Sequence, residues 1–302
     1  MNARTTAHPV ADRLRPRRTG ITGISLAATA LIAGGCAPAW GEGHGPTFAL
    51  ATPTLTQGQW SSDTTALVLS TTEGETFMAG QMLGYGITED WDVSLAVGSP
   101  MVNRRQAMPR TRAGSMMLTT GDQVELTTRW RFHREAPAVG TRRESTLILG
   151  SSAPYDSRPN GMKIGPSAHI GAVTGYASRT WYWWLGGGFQ RYADRGGDRP
   201  GDLPYLTATV AYRPPAWAGD FPQPDWRVFM EAVAEFPQRN RMDGEAVAES
   251  GGQRALIGPT FLGLFATGWG VSGGIMFPVH QRLHGDQPRE NLRGRIVATY
   301  WF

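Results

Sequence analysis

The last eleven residues of the chain, 292–302, read Leu-Arg-Gly-Arg-Ile-Val-Ala-Thr-Tyr-Trp-Phe. Every second residue from Leu292 to Phe302 is apolar or glycine, and the positions between them begin with Arg293 and Arg295. Successive side chains point to opposite faces in a β-strand, whereas a helix would mix the two sets. The terminal segment therefore predicts a strand with one apolar face and one mixed face.

The same alternation recurs through the chain. In residues 226–236 and 123–133, the charged side chains all fall on one set of alternate positions, opposite a face made mostly of Val, Leu, Met, Ala, Trp and Phe. This pattern favours strands whose two faces meet different solvents. Applied throughout, it predicts twelve strands, at residues 64–73, 75–88, 91–99, 122–134, 141–151, 165–176, 179–193, 203–213, 225–236, 253–265, 268–280 and 291–302.

The connections between these strands are asymmetric. Those after even-numbered strands are mostly short, as at Glu89-Asp90, with a Pro-rich exception at 214–224. Those after odd-numbered strands are long and polar, except after the first. Beyond the leader, no segment approaches the 18 consecutive apolar residues of a spanning helix. We therefore expect an all-β fold, an antiparallel transmembrane β-barrel of about 12 strands with short periplasmic turns, long extracellular loops and both termini in the periplasm.

The N-terminus has the form of an export signal. Basic residues up to Arg18 precede an uncharged run from Thr19 to Gly35, which is too short and too rich in Gly and Ala to span a bilayer. Two cleavage sites compete: a lipoprotein-like box ending at Cys36, where Cys36 would be lipidated, and an ordinary site before Trp40. We predict residues 1–39 to be a signal peptide, 40–62 a periplasmic N-terminal extension and 63–302 the outer-membrane barrel.

Composition excludes several classes of protein. Five arginines and Asp12 within residues 1–35 account for the whole formal charge of +4, so the remainder is neutral and no nucleic-acid partner is expected. One cysteine cannot build a disulfide framework or a thiolate metal site. The sequence also lacks G-x-S-x-G, H-E-x-x-H and phosphate-loop motifs. We expect no enzyme activity, no cofactor and no metal.

Residues Ile296-Val297-Ala298-Thr299-Tyr300-Trp301-Phe302 resemble the last strand of bacterial outer-membrane β-barrels. That resemblance implies that Tyr300 and Phe302 belong to the signal read by the barrel-assembly machinery. The stretches 165–171 and 182–192 further resemble small transporter-like barrels, including the phenol-degradation-pathway outer-membrane family. This second resemblance implies passage of small, apolar or aromatic compounds.

A barrel places the apolar faces toward lipid, with aromatic residues collected at the two interfaces, and turns the charged faces inward. Charges on the lipid side would cost about 2–4 kcal/mol each for basic residues at the midplane. Those charges would serve either a wet pore or ion pairs that close the lumen. The predicted lumen-lining residues are Glu125, Arg129, Arg131, His133, Arg227, Glu231, Glu235, Arg254, Arg293 and Arg295.

Two functions follow from this architecture. The first is a channel or transporter-like barrel for small solutes; the alternative is a plugged barrel that acts as a surface-binding or structural outer-membrane protein. The expected partners are outer-membrane lipids and lipopolysaccharide, the barrel-assembly machinery and a small-molecule solute. Conductance separates the two functions, and a lumen blocked by the N-terminal extension would favour the plugged barrel.

Overall fold

A computed structural model describes residues 45–100, 111–113, 116–118, 122–156, 162–219 and 223–302. The predicted leader, including Cys36, lies outside the described residues. Twelve long strands follow one another in the chain. Their bounds are β1 Trp60–Thr71, β2 Gly74–Thr88, β3 Trp91–Pro100, β4 Asp122–Glu135, β5 Arg142–Asp156, β6 Ser167–Ala177, β7 Trp181–Tyr192, β8 Leu203–Tyr212, β9 Asp225–Glu235, β10 Gly252–Leu264, β11 Trp269–Leu283 and β12 Glu290–Trp301.

These strands form a single closed barrel. Each strand pairs with its neighbour in sequence, and β1 pairs antiparallel with β12 from Ser61 opposite Trp301 to Thr71 opposite Glu290. Closure gives every strand two partners, which removes the unpaired edges that hydrocarbon cannot satisfy. The predicted 12-strand antiparallel barrel is confirmed, as are the short turns at one end and the long loops at the other.

Elements outside the barrel wall are few among the described residues. Residues 111–113 pair with 116–118, Arg241–Met242 pairs with Glu245–Ala246, and a 3-10 turn covers Pro215–Trp217. No helix in the described part of the chain combines the length and the apolar character needed to cross a membrane.

The wall has apolar residues outside and polar residues inside. In β6, buried and exposed residues alternate strictly from Ser167 to Gly175, with Ile170 exposed and His169 buried. Large apolar side chains are exposed around the barrel, while charged side chains such as Glu231 and Arg293 are fully buried. This distribution is the reverse of a soluble domain and matches a barrel whose outer face meets lipid. The closed barrel and this apolar outer face place the chain in the outer membrane.

Aromatic side chains gather at the end of the barrel that carries the short turns. Trp60 packs on Tyr85, Trp181 on Tyr212 and Trp269 on Tyr300, with ring centroids 4.7–4.8 Å apart. This end is the periplasmic one by the rule that short turns face the periplasm. Exposed aromatic side chains also lie at extracellular strand ends, at Tyr155 and Phe236, so aromatic residues occur at both interfaces as expected. The aromatic residues near periplasmic strand ends include Trp91, Trp181, Trp183, Tyr212, Trp226, Trp269, Tyr300 and Phe302.

The N-terminal part of the barrel differs from the prediction. Strand β1 begins at Trp60, four residues before the predicted start and three before the predicted barrel boundary at 63. Asp63, which the predicted strand left out, is therefore an inward-facing strand residue. Residues 45–59, which we call the lumen segment, enter the barrel and do not extend into the periplasm as predicted; residues 47–50 and 52–55 are buried there, and only Gln57 and Gly58 are exposed.

We expect an arginine in the middle of the lipid-facing wall to destabilise the barrel. Leu185 is exposed on β7 and pairs with Ala208 near the centre of β8. Leu185→Arg should cost about 2–4 kcal/mol of unfolding free energy, because a guanidinium would enter hydrocarbon. Urea unfolding in lipid vesicles, followed by the loss of heat-modifiable gel migration, measures this cost.

The matched control is Val139→Arg, at a fully exposed position in the short turn between β4 and β5. Its effect should stay within about 0.5 kcal/mol. Equal destabilisation by the two arginines would show that the face of Leu185 is not in lipid.

The barrel lumen as candidate functional site

The lumen segment runs through the inside of the barrel from the periplasmic end. Next to β1, Gly58 donates its N–H to the carbonyl of Gly86, and the hydroxyl of Thr54 donates to the carbonyl of Glu89 in the first periplasmic turn. Upstream residues reach farther in, where Phe48 contacts side chains in the extracellular half of the barrel. The lumen is therefore filled by polypeptide over much of its length.

Glu231 on β9 holds the inner end of the lumen segment. Its carboxylate accepts the backbone N–H groups of Thr47, Phe48 and Ala49, each at 2.7 Å, and the hydroxyl of Thr260 on β10. The Glu231 side chain is completely buried. A buried carboxylate is tolerated only when donors surround it, so these bonds explain both the burial of Glu231 and the bend of the chain at residues 47–49.

Arg295 on β12 binds the same part of the segment from another direction. Its Nη1 donates to the carbonyl oxygen of Thr47 at 2.6 Å. Thr47 therefore donates its N–H to Glu231 and accepts a hydrogen bond from Arg295 at its carbonyl oxygen. Leu50 N–H donates to the hydroxyl of Thr207 on β8 at 3.3 Å. Strands β8, β9, β10 and β12 thus form one binding surface for residues 47–50.

A second pair of charges holds the periplasmic half of the segment. Asp92 on β3 accepts the N–H of Leu55 at 2.9 Å, and Arg129 on β4 donates to the carbonyl of Pro53 at 3.2 Å. The two side chains are bonded to each other through Arg129 Nε and Nη2, at 2.9 and 2.7 Å. Such a bidentate pair is geometrically fixed, so it presents one acceptor and one donor to the passing backbone.

Thr52 is held between these two regions. Its hydroxyl donates to Glu144 at 3.1 Å and accepts the indole N–H of Trp184 at 3.0 Å, while its carbonyl accepts the hydroxyl of Thr146 at 2.7 Å. Thr52 therefore has both its side chain and its carbonyl bonded to the wall.

Apolar contacts accompany these polar ones. Phe48, 1% exposed, packs in a cluster with Leu69, Val233, Leu256 and Met276. Leu50, 2% exposed, packs in a second cluster that includes Ile148, Trp184, Tyr205 and Phe229. The lumen wall is therefore not uniformly polar, and each apolar patch is covered by one side chain of the segment.

Four buried charges form a closed ion-pair network at the extracellular ends of β9, β10 and β12. Arg293 lies 2.7 Å from Glu290 and 3.2 Å from Glu235, and Arg254 also pairs with Glu235. All four side chains are at most 2% exposed. Two carboxylates balance two guanidinium groups, so this network stiffens the wall and carries no net charge.

The structure places nine of the ten predicted lumen residues inside the barrel. Glu125 lies 3.8 Å from His169, Arg131 pairs with Glu144 at 3.0 Å, and Arg227 pairs with Asp225 at 3.0 Å. Arg129, Glu231, Glu235, Arg254, Arg293 and Arg295 make the contacts described above.

His133 is the exception, and its prediction as a lumen residue is corrected by its exposure. It lies beyond a register shift between Arg131 and His133 that ends the strict alternation. Its side chain is about half exposed and lies 4.0 Å from Glu135. Alternation alone cannot reveal such a bulge, because the sequence on both sides still reads as charged.

Several functional residues were absent from the sequence-based set. Asp92 and Glu144 lie at inward positions of predicted strands, so the parity that selected Glu125 could also have selected them. Glu290 lay one residue before a predicted strand. Nothing in the sequence of 45–59 marks Thr47, Phe48 or Thr52 as partners of the wall, because their contacts join residues more than 90 positions apart.

The extracellular loops are joined to one another around Asp198, in the loop between β7 and β8. Asp198 accepts the backbone N–H of Lys163 at 2.8 Å and that of Asp243 at 2.9 Å, from the two neighbouring long loops. These two hydrogen bonds, of which that from the Lys163 amide has the larger effect, hold the pKa of Asp198 below its ordinary value. Asp243 and Gly244 both have positive φ, as a tight hairpin turn requires, and Gly244 N–H donates to Gly197.

Removing Glu235 should destabilise the barrel strongly. Glu235→Ala would leave Arg254 and Arg293 in a buried site with one carboxylate between them, at a cost of about 3–5 kcal/mol. The control is Glu135→Ala, which breaks an exposed pair with Arg143 and should cost at most about 1 kcal/mol. Unfolding in urea compares the two, and equal costs would contradict the network.

Acid should loosen the loop junction at Asp198. A carboxylate whose pKa is lowered by folding stabilises the folded state above its unfolded pKa, and this contribution disappears as the pH falls through the folded pKa. Hydrogen exchange of the backbone amides of residues 236–251 should therefore become faster as the pH falls from about 5 to about 2, once the measured rates are corrected for the pH dependence of intrinsic exchange. Asp198→Asn should exchange faster at pH 5 and lose this dependence; an unchanged profile in the variant would assign the effect to other groups.

The fold is similar to that of solved outer-membrane channels. An outer membrane channel from Pseudomonas putida F1 aligns with 83% of this chain and 98% of its own, at 12% identity and a TM-score of 0.61. The NanC porin aligns over 79% of this chain and 98% of its own at 8% identity (TM-score 0.49), and the KdgM porin over 80% and 99% at 9% (TM-score 0.46). No protein-family model and no curated protein matches the sequence. The chain has the fold of a bacterial outer-membrane channel barrel.

Proposed function

We propose that the protein is an outer-membrane channel for small molecules, closed by the lumen segment and opened when that segment leaves. The observation that carries the proposal is the lumen segment itself. The wall encloses an interior wide enough for a stretch of polypeptide with its side chains, so the wall alone does not seal the barrel. A twelve-stranded barrel lies between eight-stranded barrels filled by side chains and the open porins.

The contacts of the segment support a reversible closure. Every contact described between the segment and the wall is a hydrogen bond or an apolar contact. The strands that carry these wall groups are paired with one another, so the pairing of the barrel does not depend on the segment. Departure of the segment would leave a continuous set of polar groups beside two apolar patches. Solvent and small solutes can occupy such a surface.

The apolar patches suggest the kind of solute. The positions of Phe48 and Leu50 would become apolar recesses in an open lumen. This supports passage of small apolar or aromatic compounds, as the resemblance to the phenol-degradation-pathway family implies. We also keep as proposals the cleaved leader, lipidation of Cys36, the assembly role of Tyr300 and Phe302, and the contacts with lipopolysaccharide.

A permanently plugged barrel is the second candidate, and two observations favour it. The described part of the N-terminal extension lies in the lumen, as expected from the sequence for a plugged barrel. In addition, the segment supplies three of the four hydrogen bonds described for the buried carboxylate of Glu231 and one of the three described for that of Asp92, and losing donors at buried carboxylates is costly. In that case the joined extracellular loops would be the functional surface. Conductance separates the two candidates.

The channel proposal predicts that weakening the apolar contacts of the segment opens the barrel. In the full chain, Phe48→Ala with Leu50→Ala removes two buried side chains, each worth about 2–5 kcal/mol. The open fraction in planar bilayers should rise at least tenfold over wild type, since about 1.4 kcal/mol already gives that factor.

Val139→Ala, in an exposed periplasmic turn, is the control and should behave as wild type. Heat-modifiable migration verifies that each variant has folded. A folded double variant that inserts into bilayers and passes no more current than wild type would favour the permanently plugged barrel.

A further inference from the structure

We propose that the wall around Glu231 and Arg295 is a binding site for a small apolar molecule that carries a primary ammonium group next to a carbonyl oxygen. This site, formed by Glu231, Thr260, Thr207 and Arg295, is occupied by residues 47–50 in the closed barrel. The inference rests on the proposed function, because a solute reaches the site only when the segment leaves it.

The hydrogen bonds of Glu231 define the head group of the ligand. The segment supplies three N–H donors to this carboxylate, at 2.7 Å each. When the segment leaves, the buried carboxylate needs replacement donors. A primary ammonium group has three N–H donors on one atom, and its positive charge strengthens each bond.

The bonding pattern of Glu231 favours a donor-bearing cation. Every hydrogen bond described for its side chain is one that the carboxylate accepts, from Thr47, Phe48, Ala49 and Thr260. A free anion offers such a site no donor, whereas an ammonium group offers three.

Arg295 and the apolar cluster define the rest of the ligand. Arg295 donates to the carbonyl oxygen of Thr47, and the N–H of the same residue donates to Glu231. A ligand that replaces Thr47 therefore needs a hydrogen-bond acceptor close to its ammonium group. The Phe48 ring occupies a recess lined by Leu69, Val233, Leu256 and Met276. Ammonium, neighbouring carbonyl and aromatic ring together describe the amides and related derivatives of apolar α-amino acids.

The experiment uses calorimetric titration of the detergent-solubilised full chain carrying Phe48→Ala and Leu50→Ala, in which the channel proposal expects the segment to leave the site more often. The probes are phenylalaninamide, at a pH where its amine is protonated, and 3-phenylpropionamide, which differs only in lacking the amine. We expect phenylalaninamide to bind at least tenfold tighter. Adding Glu231→Gln should abolish that preference, whereas Glu245→Gln, in the exposed hairpin of the loop between β9 and β10, should leave it intact.

The outcomes separate this inference from the channel proposal, because calorimetry does not depend on ion flow. Equal binding of the two probes, no binding of either by a double variant that conducts, or a preference that persists in the Glu231→Gln variant would overturn the ammonium site. No binding together with no conductance would overturn both proposals. Preferential binding without conductance would keep the site and overturn the channel. Conductance in the double variant without preferential binding would keep the channel and overturn the site.

Discussion

Pairing of β1 with β12 is the constraint on which the rest of this structure depends. It joins residues that are more than 200 positions apart and completes the ring of hydrogen bonds. Without it, two strands would present unpaired amides and carbonyls to hydrocarbon. The same pairing brings Asp63 and Arg295 to one side of the lumen and Glu231 within reach of the lumen segment, so the interior is assembled by the closure of the wall.

Closure also inverts the usual distribution of polar and apolar groups. The most deeply buried large side chains include Arg293, Glu231, Glu235 and Glu290 as well as Phe48 and Leu256. Each of these four charges has a bonded partner among the described residues: within the wall, Arg293 pairs with both Glu235 and Glu290, while Glu231 is bonded by the segment and by Thr260. The wall thus satisfies its own charges at the extracellular end but relies on the segment at mid-depth. This difference underlies our proposal that the segment, and not the ion-pair network, is exchanged for a solute.

Alternation predicted most of the fold because it is a local property of each strand. Successive positions of a strand face opposite sides of the barrel wall, so once the outer side faces lipid, the charged positions Glu125, Arg254 and Arg293 must face the lumen. Parity failed at His133, where a bulge moves the register, whereas Asp63 was missed because the strand begins earlier than predicted. The lumen segment was beyond prediction for a different reason. Its bonds to Glu231 span more than 180 positions, and the sequence around Phe48 has no periodicity that would reveal a partner.

The lumen segment is continuous with β1 through the turn at residues 56–59, where Thr56 and Gln59 are bonded to each other and Gly58 to Gly86. A displaced segment would therefore remain a few residues from its own binding surface. Its effective concentration there would be on the order of millimolar, as for other short flexible tethers. To hold the barrel open, a solute that binds this surface as tightly as the segment would have to exceed that effective concentration. A solute that binds more tightly would need a proportionally lower concentration. In the proposed channel, re-closure would then follow from the fall in solute concentration.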